Sequence, residues 1–336
     1  MRKHWLRGVL LGVSLAVLLA GGVALADKEP PLHPSADNKT HDVGIINVEV
    51  DDDGGYTGHY YAYWPCPGDC KSQTSHANLL LGNGSDKMAD GNWDGDFATT
   101  TGGDITITEP GVISHQDGYA QYDDGDVLGL EVTQYSCAWE DDDFILVGYE
   151  IRNVSGATLN GLYVGHYADL DVDGHFGDDK TAYDSGRGMG YILATTDTHV
   201  GLRYLMGDVS SYRNGDLNDY TSDSAAYLAL SSPGFDATYP SPPSTYTDVE
   251  FVMGVGSFDL AAGEVYKLGT AWIAGDSLAD LRANADAAVD RWVASDGCGI
   301  LAPEVEEFVP EPGSVVLLAS GLMGLAGYAG LRLRRK

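Results

Sequence analysis

Apolar and polar residues alternate along most of this chain in short runs, broken by turns rich in Gly and Asp. The clearest run is 144–152, where Ile145, Val147, Tyr149 and Ile151 recur at every second position, as one face of a half-buried strand requires. Runs at 127–135, 159–167, 189–194, 200–206, 249–255 and 265–273 continue the series. So many short strands, with no repeat of fixed period, predict a mainly β fold: an antiparallel β-sandwich. One segment changes period. Leu278, Leu281, Ala285, Ala288, Val289 and Trp292 fall on one helical face, and Asp276 and Ser277 stand ready to cap it. This predicts a C-terminal amphipathic helix laid over a sheet edge or end. The proline-bearing stretch 232–246 reads as a loop between late strands.

The two ends have a different pattern. Arg2, Lys3 and Arg7, an apolar run at 9–19 and then Ala24-Leu25-Ala26 have the three parts of a secretory signal peptide over 1–26. An uncleaved anchor is the alternative. Residues 27–42 are polar and read as a linker, 43–301 as the β-sandwich domain, and 302–313 as an acidic linker. That linker ends in Pro310-Glu311-Pro312. An apolar run at 314–331 follows, barely long enough for a transmembrane helix, with a basic end at 332–336 that the positive-inside rule keeps cytoplasmic.

The order Pro310-Glu311-Pro312, apolar span, arginine-rich end resembles the PEP-CTERM sorting signal of Gram-negative bacteria; an ordinary tail anchor is the alternative. The resemblance implies an exosortase partner that cleaves near the Pro-Glu-Pro motif. It also implies an inner-membrane precursor and a final place at the cell surface or in its exopolysaccharide. Segments at 129–134, 144–153, 163–165, 167–172 and 187–191, with Asp184 and a closing helix at 274–287, resemble a β-sandwich accessory module often appended to secreted bacterial peptidases. That likeness implies a non-catalytic module.

Charge narrows the partners. The formal charge is −31, and seven of the 19 basic residues lie in the two end segments, where none of the 50 acidic residues does. Such a field repels phosphate backbones, which excludes nucleic acid, and attracts cations. With 43% hydrophobic residues, 20 Tyr and 6 Trp, the chain is a folded one rather than an acidic tail. Asp169-Leu170-Asp171-Val172-Asp173-Gly174 sets carboxylates at alternate positions before a glycine, with Asp178 and Asp179 close behind. A turning loop can aim such oxygens at one hard ion, so calcium is the expected cofactor. Asp90, Asn92, Asp94 and Asp96 repeat the spacing. Neither loop has the closing Glu of an EF-hand, and both compete with a plain solvated turn. The runs 51–53, 123–124 and 141–143 read as solvated turns.

Cys66, Cys70, Cys137 and Cys298 are an even set, and in an exported chain they suggest two disulfides with three possible pairings. Gly275-Asp276-Ser277-Leu278 spells a hydrolase signature, but no histidine follows His199 to activate the serine, so a helix cap is the better reading. No zinc-protease, nucleophile-elbow or phosphate-loop motif occurs. The expectation is therefore a calcium-stabilised surface protein that is not an enzyme. The alternatives are a carbohydrate-binding module, suggested by Tyr56, Tyr60, Tyr61, Tyr63, Trp64 and Trp93, and a hydrolase with scattered carboxylates.

Overall fold

The computed structural model of the chain describes residues 38–52, 62–66, 71–91, 95–240 and 246–301. The secretory signal, the Pro310-Glu311-Pro312 motif and the 314–331 run lie outside them. Among the described residues no helix is long and apolar enough to cross a membrane.

Three sheets form. β1 (Asn38–His41), β2 (Asn47–Asp51), β3 (Ala62–Trp64) and β4 (Lys71–Ser72) make a small one in that order. β5 (His76–Gly84) and β6 (Lys87–Asp90) open a second sheet. β7 (Ala98–Thr99), β8 (Thr106–Thr108), β9 (Gln116–Asp123), β10 (Leu130–Ala138) and β11 (Phe144–Asn153) open a third. The chain then crosses between these two larger sheets. β12 (Leu159–Asp169) joins the second, while β13 (Asp179–Asp184), β14 (Met189–Ala194) and β15 (His199–Met206) join the third. β16 (Val209–Asp216), helix α1 (Asp223–Ser231), β17 (Gly234–Phe235) and β18 (Val249–Leu260) return to the second. β19 (Val265–Gly275) and helix α2 (Leu278–Ala294) complete the third.

The six-stranded sheet runs β17-β16-β18-β12-β5-β6, and the nine-stranded sheet runs β13-β14-β15-β19-β11-β10-β9-β7, with β8 also on β9. Among the described strands all pairs are antiparallel except the two-residue pairing of β16 with β17.

Two-residue periodicity sorts the side chains between layers. Ile145, Val147, Tyr149 and Ile151 of β11 enter the main core, where they join Val164, Phe251 and Met253 from the six-stranded sheet. The opposite face of β11 is buried as well. Phe144 and Leu146 pack with Leu281, Ala285, Ala288 and Trp292 of α2. The expected half-buried strand is thus buried on both faces over its first half, because the helix seals the side that alternation alone assigns to water, while Arg152 toward its end stays exposed. Each large apolar side chain so covered contributes roughly 1.5–3 kcal/mol. Gly269 on β19 permits this close approach, since a Cβ there would lie 2.4 Å from the Trp292 ring.

The predicted helix is present, with Ser277 accepting the Asp280 N–H at 3.1 Å as its N-cap. A second helix was not expected. Ser222 caps α1 in the same manner, and Ala226, Ala229 and Leu230 cover Leu80, Met88, Tyr167 and Val252 on the outer face of the six-stranded sheet. The order is helix, sheet, sheet, helix. β1 also lies inside the stretch read as linker, paired along its length with β2.

One polar side chain crosses the main core. His166 Nδ1 meets the Tyr204 hydroxyl at 2.8 Å and Nε2 the Tyr149 hydroxyl at 3.2 Å. Burial lowers its pKa to about 3, so it stands neutral, with both ring nitrogens engaged.

Candidate metal centre

β12 ends on Asp169, and the next residues keep the strand's alternation for one more turn. Leu170 and Val172 are each 1% exposed in the core, which turns Asp169 and Asp171 to the other side. The loop is tied down at its start, where the Asp169 carbonyl accepts the Ser75 N–H at 2.9 Å. Alternation ends at Asp173, whose φ of 59° places it in the left-handed region.

A second segment reaches the same point. Thr247 and Asp179 exchange backbone hydrogen bonds of 3.2 and 3.3 Å, and this bridge brings Asp248 to the end of β12. Carboxylate oxygens of Asp169, Asp171 and Asp248 lie within 4.8 Å of one another. Oxygens that share an ion at about 2.4 Å can be no more than about 4.8 Å apart, so the three carboxylates are spaced as co-ligands.

A third segment lies beside the group. Asp179, the first residue of β13, is 1% exposed. Its Oδ1 meets no hydrogen-bond donor among the described residues, although the carboxylate accepts the Val172 N–H. Burial first, then the charges of Asp178 and Asp171, and further that of Asp248, push its pKa to about 9. Asp178 lies beside it, with one oxygen accepting from Thr195 Oγ1 at 2.8 Å and the other buried with no donor among the described residues. Close carboxylates with an unmet buried oxygen suit a hard cation better than they suit one another.

Not every predicted ligand arrives here. Asp173 turns away: Oδ1 accepts from Gln73 Nε2 at 3.2 Å, and both carboxylate oxygens accept from Thr198 Oγ1 at 3.1 Å. Its own N–H donates to Gln73 Oε1, so Asp173 pins the loop to β4 and to the start of β15. In the other predicted loop, Asp96 N–H donates to the Asp90 carbonyl at 3.1 Å, and Asp96 Oδ2 accepts the Asp90 N–H at 3.3 Å. That is a closed turn. Asn92 and Asp94 lie outside the described residues. Asp248 was missed by the sequence reading, because nothing in 246–248 carries the alternating-carboxylate signal.

Several aspartates of the acidic runs read as solvated turns are instead internal staples, while Asp141 is an exposed turn residue. Asp51 and Asp52 are buried, and Asp52 Oδ2 accepts the Ile105 N–H at 3.3 Å. Asp124 receives the N–H groups of Leu128 and Gly129. Asp142 pairs with Arg291 at 3.1 Å, and Asp143 accepts the Trp64 indole N–H at 2.7 Å. Asp53 lies outside the described residues. Trp64 is buried, so it offers no platform to a glycan. Tyr56, Tyr60, Tyr61 and Trp93 lie outside the described residues, and nothing is described of the Tyr63 side chain.

Cys137 and Cys298 form a disulfide that joins β10 to the segment after α2. Cys66 is also disulfide-bonded, and Cys70 lies outside the described residues. Ser277 caps α2, as the sequence reading had it.

The protein is thus a mainly β, antiparallel molecule of three sheets, with a helix on the outer face of each larger one and, among the described residues, one cluster of three aspartates with Asp179 beside it. Residues 308–336 match the PEP-CTERM protein-sorting motif, so the chain carries an exosortase recognition signal and is of the exported, surface-directed kind. No curated protein matches the sequence. Among solved structures, a bacterial glucoamylase complexed with acarbose is similar at 8% identity and a TM-score of 0.51, over 80% of this chain and 39% of that one. The chain therefore spans about two fifths of that enzyme's length. A GH36 alpha-galactosidase from Geobacillus stearothermophilus, solved with raffinose, follows at 10% identity and a TM-score of 0.39, covering 72% of this chain and 41% of its own. A putative aldose 1-epimerase from Escherichia coli K12 has 10% identity and a TM-score of 0.37, covering 71% and 99%.

These findings correct two expectations. The body does not stand as a non-catalytic module, nor the chain as one that is not an enzyme. The fold is shared with part of a carbohydrate-active hydrolase, and a built acidic centre lies within it. Of the resemblance to peptidase accessory modules, the mainly β fold is the part that is shown.

Proposed function

We propose that this chain is an exported, exosortase-sorted protein that acts on polysaccharide at the bacterial surface, its scaffold locked by one calcium ion. The observation that carries the calcium part of the reading is the aspartate centre. Asp169, Asp171 and Asp248 would hold the ion, with Asp179 and its unmet buried oxygen beside them. The donor set is all oxygen, negatively charged and drawn from irregular loops, which favours calcium over magnesium with its strict octahedral demand. The ion would join the end of β12, the entry to β18 and the start of edge strand β13. Its part is structural, holding three segments that otherwise repel.

The scaffold shared with part of a glucoamylase supports the carbohydrate reading, and the sorting motif supports its place. On this reading the precursor is anchored in the inner membrane of a Gram-negative cell through 314–331. After cleavage near Pro310-Glu311-Pro312 the product associates with exopolysaccharide.

The purified protein is expected to release reducing ends from the exopolysaccharide of the producing organism, several-fold faster in millimolar Ca²⁺ than in EGTA. No release above a heat-inactivated control, from that polymer or from a panel of neutral glycans, would refute the activity.

A further inference from the structure

At the far end of β13 from Asp179 a cleft of about 490 Å³ opens between the edges of the two large sheets. That volume lies within the roughly 300–1,000 Å³ of small-molecule sites. Aromatic rings form part of its otherwise polar wall. Phe235, half exposed, stacks on Tyr183 with ring centroids 4.7 Å apart and planes 11° from parallel. Tyr183 in turn stacks on buried Tyr212 at 5.1 Å. One face of Phe235 is therefore fixed by the stack beneath it, and the ring is held rigidly at the mouth. Ser185 and Asp208 are exposed on the rim, and Arg187 completes it.

We infer that this cleft is a saccharide-binding subsite, in which a neutral pyranose ring lies on Phe235 and sets its hydroxyls against Ser185, Asp208 and Arg187. The inference rests on the carbohydrate reading above, but it concerns a different place in the molecule. A flat, preordered ring suits the C–H face of a sugar, and acceptors and donors mixed along the rim suit its hydroxyls.

Charge selects the neutral class. The charge of Arg187 is already paired, by donation to both oxygens of Asp286 at 3.0 and 2.8 Å and to Asp184 at 3.3 Å, which leaves guanidinium N–H groups for a hydroxyl but no net charge for an acid. Asp208 adds a negative charge in a chain of net −31. An acidic glycan would meet repulsion with no free cation to answer it. Two devices position the wall. β17 carries Phe235 and pairs with β16, and the Asp236 carboxylate holds Arg213 of β16 at 2.6 Å. Tyr183 is set by β13, the strand whose start lies in the aspartate centre.

Saturation-transfer NMR on the whole protein tests this with neutral gluco-, manno- and galacto-oligosaccharides beside an oligogalacturonate. Transfer is expected to at least one neutral oligosaccharide and not to the oligogalacturonate. Phe235→Ala should weaken binding about tenfold, and Phe235→Tyr should keep it. Where Phe235→Ala fails to fold, Asp208→Ala carries the test through loss of the rim acceptor. Transfer to no neutral oligosaccharide would overturn the inference. So would equal transfer to the acidic one, or full binding by both alanine variants. Cleavage of these oligosaccharides with kinetics unchanged by either variant would leave the carbohydrate reading standing and sink the cleft alone.

Discussion

Opening the Cys137–Cys298 bridge, by Cys298→Ser or by reduction, is expected to lower the melting temperature by about 10–20 °C. The bridge spans 161 residues, so without it the unfolded chain regains the freedom of a very long loop. On the chain-entropy account such a loop is worth about 5 kcal/mol. Both cysteines are buried beside Trp139, Leu146 and Trp292, which gives the native state a further reason to fail. With the bridge open, α2 keeps its apolar stripe but loses its tether to β10. The seal over Phe144 and Leu146 should loosen first, visible as faster amide exchange in α2 than in β11. Differential scanning calorimetry with and without reductant checks the size. A shift under about 3 °C would mean that α2 is held by packing alone.

The second large effect is calcium itself. At a hundredfold excess over the dissociation constant, one bound ion adds about 2.7 kcal/mol, or about 5–10 °C for a domain of this size. The increment should depend on pH with a definite sign. The Asp179 pKa is raised from its ordinary range to about 9 in the metal-free fold, so the folded state keeps a proton that the unfolded chain gives up. That contribution is full below the unfolded value near 3.8 and is lost as pH rises through the window to about 9. In EGTA this group therefore favours the fold at acid pH. Calcium displaces the proton, so its increment should be larger at pH 8 than at pH 5.

Substitutions separate ligand from clamp. Asp171→Ala should abolish most of the calcium increment, yet leave stability in EGTA level or slightly higher, since a repelling charge is gone. Asp173→Ala should lower the melting temperature in both buffers and keep the increment, because Asp173 binds Gln73 and Thr198 rather than the centre. Equal increments in both variants would show that the ion, if bound, is elsewhere.

Much of the fold was legible in the sequence. Two-residue periodicity located β10, β11, β12, β14, β15, β18 and β19, and the 3.6-residue stripe with its Ser277 cap located α2. Both patterns are local and carry their own signal. Helix α1 was not legible: at nine residues its stripe is short, and its cap resembles any serine-rich turn. The burial of both faces of β11 was hidden for another reason, since it depends on a helix that arrives from more than a hundred residues away. The candidate site divides along the same line. Asp169 and Asp171 were visible because spacing along one loop suffices to set them side by side. Asp248 was invisible because only the Asp179–Thr247 bridge brings it near. The engagement of Asp173 by Gln73 and Thr198 was invisible because those partners lie far along the chain, where spacing within one loop says nothing. The acidic runs misled by composition. Asp52, Asp124 and Asp143 look like solvated turns, yet each accepts a hydrogen bond that closes a loop.

The most direct test is anomalous diffraction from crystals of the protein grown in calcium chloride. The account predicts a calcium peak between the three segments, about 2.3–2.6 Å from carboxylate oxygens of Asp169, Asp171 and Asp248, with Asp179 ionised beside it. A flat map there, with these side chains turned apart toward solvent, would contradict it.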